Sequence, residues 1–145
     1  MAILNVHFRV FCHATEDEGK VVQALKFASG AEDVTREVTE GYHGNPIIIL
    51  EVSIKEKRRS KDFFSKLGED ELRKIVDSLE KRMDDDCNLY LRLDKQEAYL
   101  ENLVMTTSDD AIAIRAKIES YPKNRESAMK RVTEFLDSLI QSKKG

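Results

Sequence analysis

The chain has 145 residues, 41% hydrophobic and 35% charged, with a formal net charge of −3. That length suits a single domain spanning residues 1–145. The near balance of signs excludes a uniformly basic nucleic-acid clamp, so any anionic polymer would have to meet cations gathered on one face. No apolar run, Ile47 to Leu50 included, exceeds four residues, far too short to span a bilayer.

Residues 3–12 alternate, with Leu4, Val6, Phe8 and Val10 on one side and Asn5, His7 and Arg9 on the other. This predicts a half-buried strand. Arg9 also interrupts any signal-peptide layout, so the expected compartment is cytoplasmic. Thr15 and Glu18 form an S/T-x-x-E capping box, and a helix follows with Val21, Ala24, Leu25 and Ala28 on one face up to Gly30. Residues 33–40 read as a polar strand. Gly41 to Pro46 is a turn, and Ile47 to Ile54 is the strand that completes a hairpin.

Residues 55–62 are charged and expected to be exposed, and a short helix around Phe63, Phe64 and Leu67 should end at Gly68. Leu72, Ile75, Val76, Leu79 and Met83 recur at helical spacing up to Asp84-Asp85-Asp86. Leu89, Leu91 and Leu93 alternate with Tyr90 and Arg92 as a further strand. Residues 94–98 read as a connector. Residues 100–106 and 111–119 read as a second hairpin. Asn124 is the expected cap of a last helix carrying Ala128, Val132, Phe135, Leu136 and Leu139, with residues 142–145 expected to fray. The order β-α-β-β-α-β-β-β-α predicts an α+β two-layer sandwich, its mainly antiparallel sheet covered by helices on one face.

The uncovered face then carries His7, Arg9 and Phe11, with His13 further on; Glu51, Ser53 and Lys55; Tyr90 and Arg92; and Arg115 and Lys117. Guanidinium groups fit phosphate in a fork, and flat rings stack on unpaired bases. A solvated face in a charged protein also carries Arg and Tyr, paired across strands with Glu. A second subunit covering the sheet is a third reading.

Four stretches in register carry a family resemblance. They are His13-Ala14-Thr15-Glu16-Asp17; Gly41-Tyr42-His43-Gly44-Asn45-Pro46-Ile47; Leu89 to Gln96; and Asp109-Asp110 followed by Ile112, Arg115, Lys117 and Ile118. Together they resemble an archaeal family of RNA-binding proteins described as predicted exosome subunits. The family's fold is similar to that of the large-subunit ribosomal protein that binds 5S RNA. The resemblance implies RNA as partner, with exosome or ribosomal components beside it, and implies no catalytic residues. One departure falls after Gln96, where Glu97 to Asn102 stand in place of the family's small-residue turn with Gly.

The expected function is therefore non-catalytic RNA binding linked to RNA processing, without cofactor or metal. Arg9, Arg92, Arg115 and Lys117 would neutralise phosphates, and His7 and Tyr90 would stack or hydrogen-bond. His13, His43, Asn45 and Lys95 are further contact candidates. Lys57, Arg58 and Arg59 would extend the electrostatic footprint. The alternative is an interaction adaptor, or a homodimer formed through the sheet, with no direct RNA contact. Asp84 to Asp86 read as turn residues. His7, His13 and His43 lack zinc-ligand spacing. Cys12 and Cys87 lack CxxC spacing and read as small buried hydrophobes, with a disulfide between neighbouring strands left open. No phosphate loop or nucleophile elbow is present in the sequence.

Overall fold

The structure, a computed structural model, describes residues 2–41 and 44–144. The elements run β1 (Ile3–Cys12), α1 (Glu18–Ser29), β2 (Thr35–Glu40), β3 (Pro46–Ile54), α2 (Lys57–Ser65), α3 (Glu69–Asp77), α4 (Leu79–Arg82), β4 (Asn88–Leu93), α5 (Lys95–Tyr99), β5 (Ile112–Ile118) and α6 (Arg125–Lys144). The strands form an open antiparallel sheet in the order β2-β3-β1-β5-β4. Alternation sorts their side chains: Val6, Phe8, Val10 and Cys12 are buried while Asn5, Arg9 and Phe11 are exposed. This is the expected α+β class. The chain divides into two compact units.

One unit comprises residues 7–53 and 92–114. Its core includes Phe8, Leu25, Leu50, Leu93 and Ile112, each at most 1% exposed, and α1 packs on α5. Helix α1 is capped not by Thr15 but by Asp17, whose carboxylate accepts from the Lys20 amide at 3.3 Å. The Glu16 carboxylate instead reaches back to the His13 amide at 3.0 Å. Gly30 ends the helix in the left-handed region. In the β2–β3 hairpin Thr35 lies opposite Glu51 and Glu40 opposite Pro46. The Gly41 amide donates to the Asn45 carbonyl at 2.6 Å, and a Cβ on Gly41 would sit 2.4 Å from the Ile47 side chain, which would have to shift to admit it.

Residues 100–106, expected as a strand, form only an isolated bridge from Met105 to Leu93. The amides of Leu100, Glu101 and Asn102 bond back to the carbonyls of Gln96, Ala98 and Glu97, closing α5 and leaving none of these donors for a ladder. Glu101 takes φ 66° at this closure. It occupies the left-handed geometry for which the resembled family's glycine is suited.

The other unit comprises residues up to Val6, 54–91 and from Arg115 onward. Phe63 packs edge-on to Phe64 at 5.1 Å, and Phe64 packs edge-on to Phe135 of α6 at 6.1 Å. Burying Phe63 and Phe64 contributes about 2–3 kcal/mol per ring. The basic segment is helical: Lys57, Arg58 and Arg59 open α2. The single helix expected over residues 72–83 is broken at Ser78, whose hydroxyl accepts from Arg82 at 2.6 Å. Asn124 caps α6 by accepting from the Ser127 amide at 2.8 Å, and the helix continues through Lys144. Cys12 and Cys87 are buried free thiols. Burial first, and then the nearby Glu16 and Glu18 carboxylates, pushes the Cys12 thiol up.

Candidate nucleic-acid interface

The exposed strand face in the first unit carries His7, Arg9 and Phe11 on β1, Glu51 and Ser53 on β3, Arg92 on β4 and Ala113 on β5. These groups differ in how firmly they are held. His7 is half-buried, with Nδ1 2.8 Å from the Ser53 hydroxyl and Nε2 2.7 Å from the Glu51 carboxylate. Both ring nitrogens therefore have partners already. Arg92 bonds Asp109 at 2.7 Å, but Asp109 is 98% exposed, so this pair is weak and exchangeable. Arg9 has no ion pair among the described residues; its guanidinium lies 5.3 Å from the centroid of the Phe11 ring. Phe11 is 39% exposed.

Lys95 is different in kind. Its side chain is only 10% exposed, and its ammonium donates to the Phe11 carbonyl at 2.9 Å, to Glu16 at 2.9 Å and to Asp110 at 2.8 Å. All three donors are thus engaged with fixed acceptors. Burial pulls the ammonium's pKa down, but the bonds to Asp110 and Glu16 outweigh it and hold it above its ordinary value. Burial likewise raises the Asp110 carboxyl, while Lys95 and His13 outweigh that and hold it low. His13 is exposed and approaches Asp110 at 3.5 Å. The ligand atoms of His13, Glu16 and Asp110 lie within 4.8 Å of one another, a spacing that would suit a metal ion. The Lys95 ammonium already provides the positive charge those two carboxylates need.

The cleft beside this cluster, about 540 Å³, is lined by Glu16, Asp17, Asp94 and Asp110 with Lys20, Lys95 and Tyr99. Its carboxylates outnumber its cations, which disfavours phosphate. Asn45 is exposed beside the hairpin turn, and His43 lies outside the described residues.

In the second unit the exposed strand face carries Tyr90, Arg115 and Lys117. Arg115 has no hydrogen bond or ion pair among the described residues. Lys117 donates to the Asp86 carbonyl. The Tyr90 hydroxyl donates to Asp84 at 2.8 Å, which pushes its phenol up, while its ring remains 44% exposed. Asp84 also accepts from the amides of Asp86 and Asn88 and from the Asn88 side chain. Burial raises the Asp84 carboxyl, but these bonds together hold it below its ordinary value. With its oxygens so occupied, the aspartate block is a turn.

On α2, Lys57 pairs with Glu119 at 2.7 Å and Arg59 with Glu56 at 3.5 Å, while Arg58 is unpaired among the described residues. Cations in the first turn of a helix oppose its dipole, and at α2 the carboxylates of Glu56, at the N-cap, and Glu119 offset part of that charge.

The RNA-binding family, described as "RNA binding", matches residues 5–118. The chain belongs to this family. It is 35% identical over 143 residues to the RNA-binding protein PAB1135 of Pyrococcus abyssi, covering 92% of this chain and 93% of that one. It is 33% identical over 141 residues to the uncharacterized protein MJ0213 of Methanocaldococcus jannaschii, covering 88% and 93%. Mth689, a DUF54 protein from Methanothermobacter thermautotrophicus, superimposes with a TM-score of 0.80 at 35% identity, covering 94% and 99%. In this member of the RNA-binding family, sequence reasoning placed Phe11 on the open face but left it out of the contact set. Its ring is nonetheless the exposed aromatic partner of an arginine with no ion pair. The i, i+2 spacing of Arg9 and Phe11 on one strand face was the signal available in the sequence.

Proposed function

We propose that this protein binds RNA through cations on the exposed faces of its strands and does not cleave it. One observation carries the reading: in a chain of net charge −3, Arg9 and Arg115 stand on those faces without an ion pair among the described residues. Membership of the RNA-binding family and the name given to the Pyrococcus abyssi relative support the same partner. Arg92 and Lys117 add charge on these faces, and Lys57, Arg58 and Arg59 add it from α2. Lys95 is left out of the contact set because its ammonium is enclosed by its own acceptors.

The finer role proposed is in RNA processing, with the exosome or the ribosome as neighbour, supported by the four stretches that resemble the predicted exosome subunits. The proposed compartment is the cytoplasm. Among the described residues no helix is long and apolar enough to cross a membrane. A homodimer formed through the sheet draws less support, since the exposed strand faces carry Arg9, Arg92 and Arg115 and the edge strand β2 carries Arg36, Glu37 and Glu40.

Crosslinking in cells followed by sequencing tests the partner directly. Enriched RNA of defined identity is the expected result. Recovery at the level of an uncrosslinked control would overturn the proposal. Incubation of bound RNA with the protein should return it at full length. Affinity capture with and without ribonuclease tests the processing role: co-purifying exosome subunits support it, and their absence from both captures removes it.

A further inference from the structure

We infer that the ligand is single-stranded RNA, and that Phe11 is the platform on which one unpaired base stacks. This rests on the RNA-binding reading and specifies the form of the RNA.

Arg9, Phe11, Arg92, Lys95 and Ala113 all belong to the unit formed by residues 7–53 and 92–114. Along β1, every second residue from Val6 to Cys12 is buried, so Arg9 and Phe11 share the exposed face. On that side the ring's cation partner among the described residues is Arg9. Phe11 has no polar tip to place in water, and it is 39% exposed. Its backbone is fixed, because its carbonyl accepts from the nearly buried Lys95 ammonium at 2.9 Å. The ring therefore projects from a strand end held in place by the interior. Neighbouring β5 presents Ala113 on its exposed side, and the next strand, β4, presents Arg92.

This arrangement matches the chemistry of an unpaired nucleotide. The base offers a π-face to Phe11, and every base has one, so the contact requires no particular sequence. The flanking phosphates meet Arg9 and Arg92. Arg9 now covers the ring loosely, 5.3 Å from its centroid. A stacking base is the stronger occupant and displaces the guanidinium onto a phosphate beside it. Duplex RNA cannot use such a platform, because its bases are stacked on one another and its shallow groove presents hydroxyls and edges, not faces.

The chain has no tryptophan, so Phe11→Trp places a single fluorescent reporter on the platform. The probes are a short labelled oligouridylate and a duplex of the same length. The single strand should quench the tryptophan and bind tighter than the duplex, which should leave the emission unchanged. Phe11→Ala should weaken oligouridylate binding about tenfold while leaving its salt dependence untouched, since no charge is removed. Phe11→Leu, which keeps apolar bulk at the same place, should weaken binding as well. Oligouridylate binding that neither quenches the reporter nor responds to Phe11→Ala or Phe11→Leu would overturn this inference and leave the RNA reading standing. Failure of both probes to bind would overturn the RNA reading beneath it.

Discussion

Two regions of one unit hold cations in opposite ways. Around Lys95 a single ammonium meets Phe11, Glu16 and Asp110 and is almost hidden from water. On the exposed strand face, Arg9 has only an aromatic neighbour, and Arg92 has only a carboxylate that is itself in solvent. Sequence lists both as basic residues near flat rings. A cation with enough fixed acceptors contributes to folding and has nothing left for a ligand. A cation without them keeps its charge available. Charge count therefore says little about which cations are free to meet an anion, and charge commitment says much more.

The sharpest way to break this comparison is to remove the committed cation. Lys95→Met should destabilise the protein by about 2–3 kcal/mol in urea unfolding, because Glu16 and Asp110 are left facing each other. The figure sits at or below the low end for a broken buried pair, since both carboxylates still reach water. The raised Lys95 pKa has a defined sign. Its stabilisation is fully present below the unfolded lysine value, about 10.4, and is lost only as pH rises through the higher folded value.

Removing the uncommitted cations should do the reverse. Arg9→Ala with Arg115→Ala should leave the unfolding midpoint nearly unchanged while weakening RNA binding about tenfold. Its salt slope should fall by about 1.4, at about 0.7 per lost phosphate contact on a single strand. An unchanged slope would take both residues off the interface.

The Asp84 turn lies between these extremes. Asp84→Ala should cost about 1–2 kcal/mol at neutral pH. Because its folded pKa is lowered, that contribution is present above the unfolded value, about 3.9, and disappears as pH falls through the folded one. Wild type and variant should therefore converge in stability under acid. Glu101→Gly should stabilise by about 0.5–1 kcal/mol by relieving the left-handed backbone, read as a raised melting temperature. The smallest effect is a gain. Asp109→Asn releases Arg92 and should tighten RNA binding by about twofold, on the order of an exposed pair's worth.

Much of the fold is legible in the chain because its signals are local. Alternation located β1, β3, β4 and β5, the glycine-bounded turn located the hairpin, and Asn124 located the start of α6. The misses are places where a competing local bond won. Asp17, not Thr15, caps α1. The amides after α5 return to that helix, so residues 100–106 form no strand. Ser78 breaks a helix whose apolar spacing runs on without interruption. The candidate interface was only half legible. Alternation put His7, Arg9, Phe11, Arg92 and Arg115 on one side, but not how they are partnered. Lys95 meets residues 15, 79 and 84 positions away in sequence, and no spacing rule reveals such a meeting.

Crosslinking the protein to bound oligouridylate and locating the adducts by mass spectrometry tests the central claim most directly. Adducts should fall on the β1 peptide containing Arg9 and Phe11 and on the β4 and β5 peptides containing Arg92 and Arg115. Adducts confined to the surfaces of α1 and α6, with those strand peptides unmodified, would contradict the account.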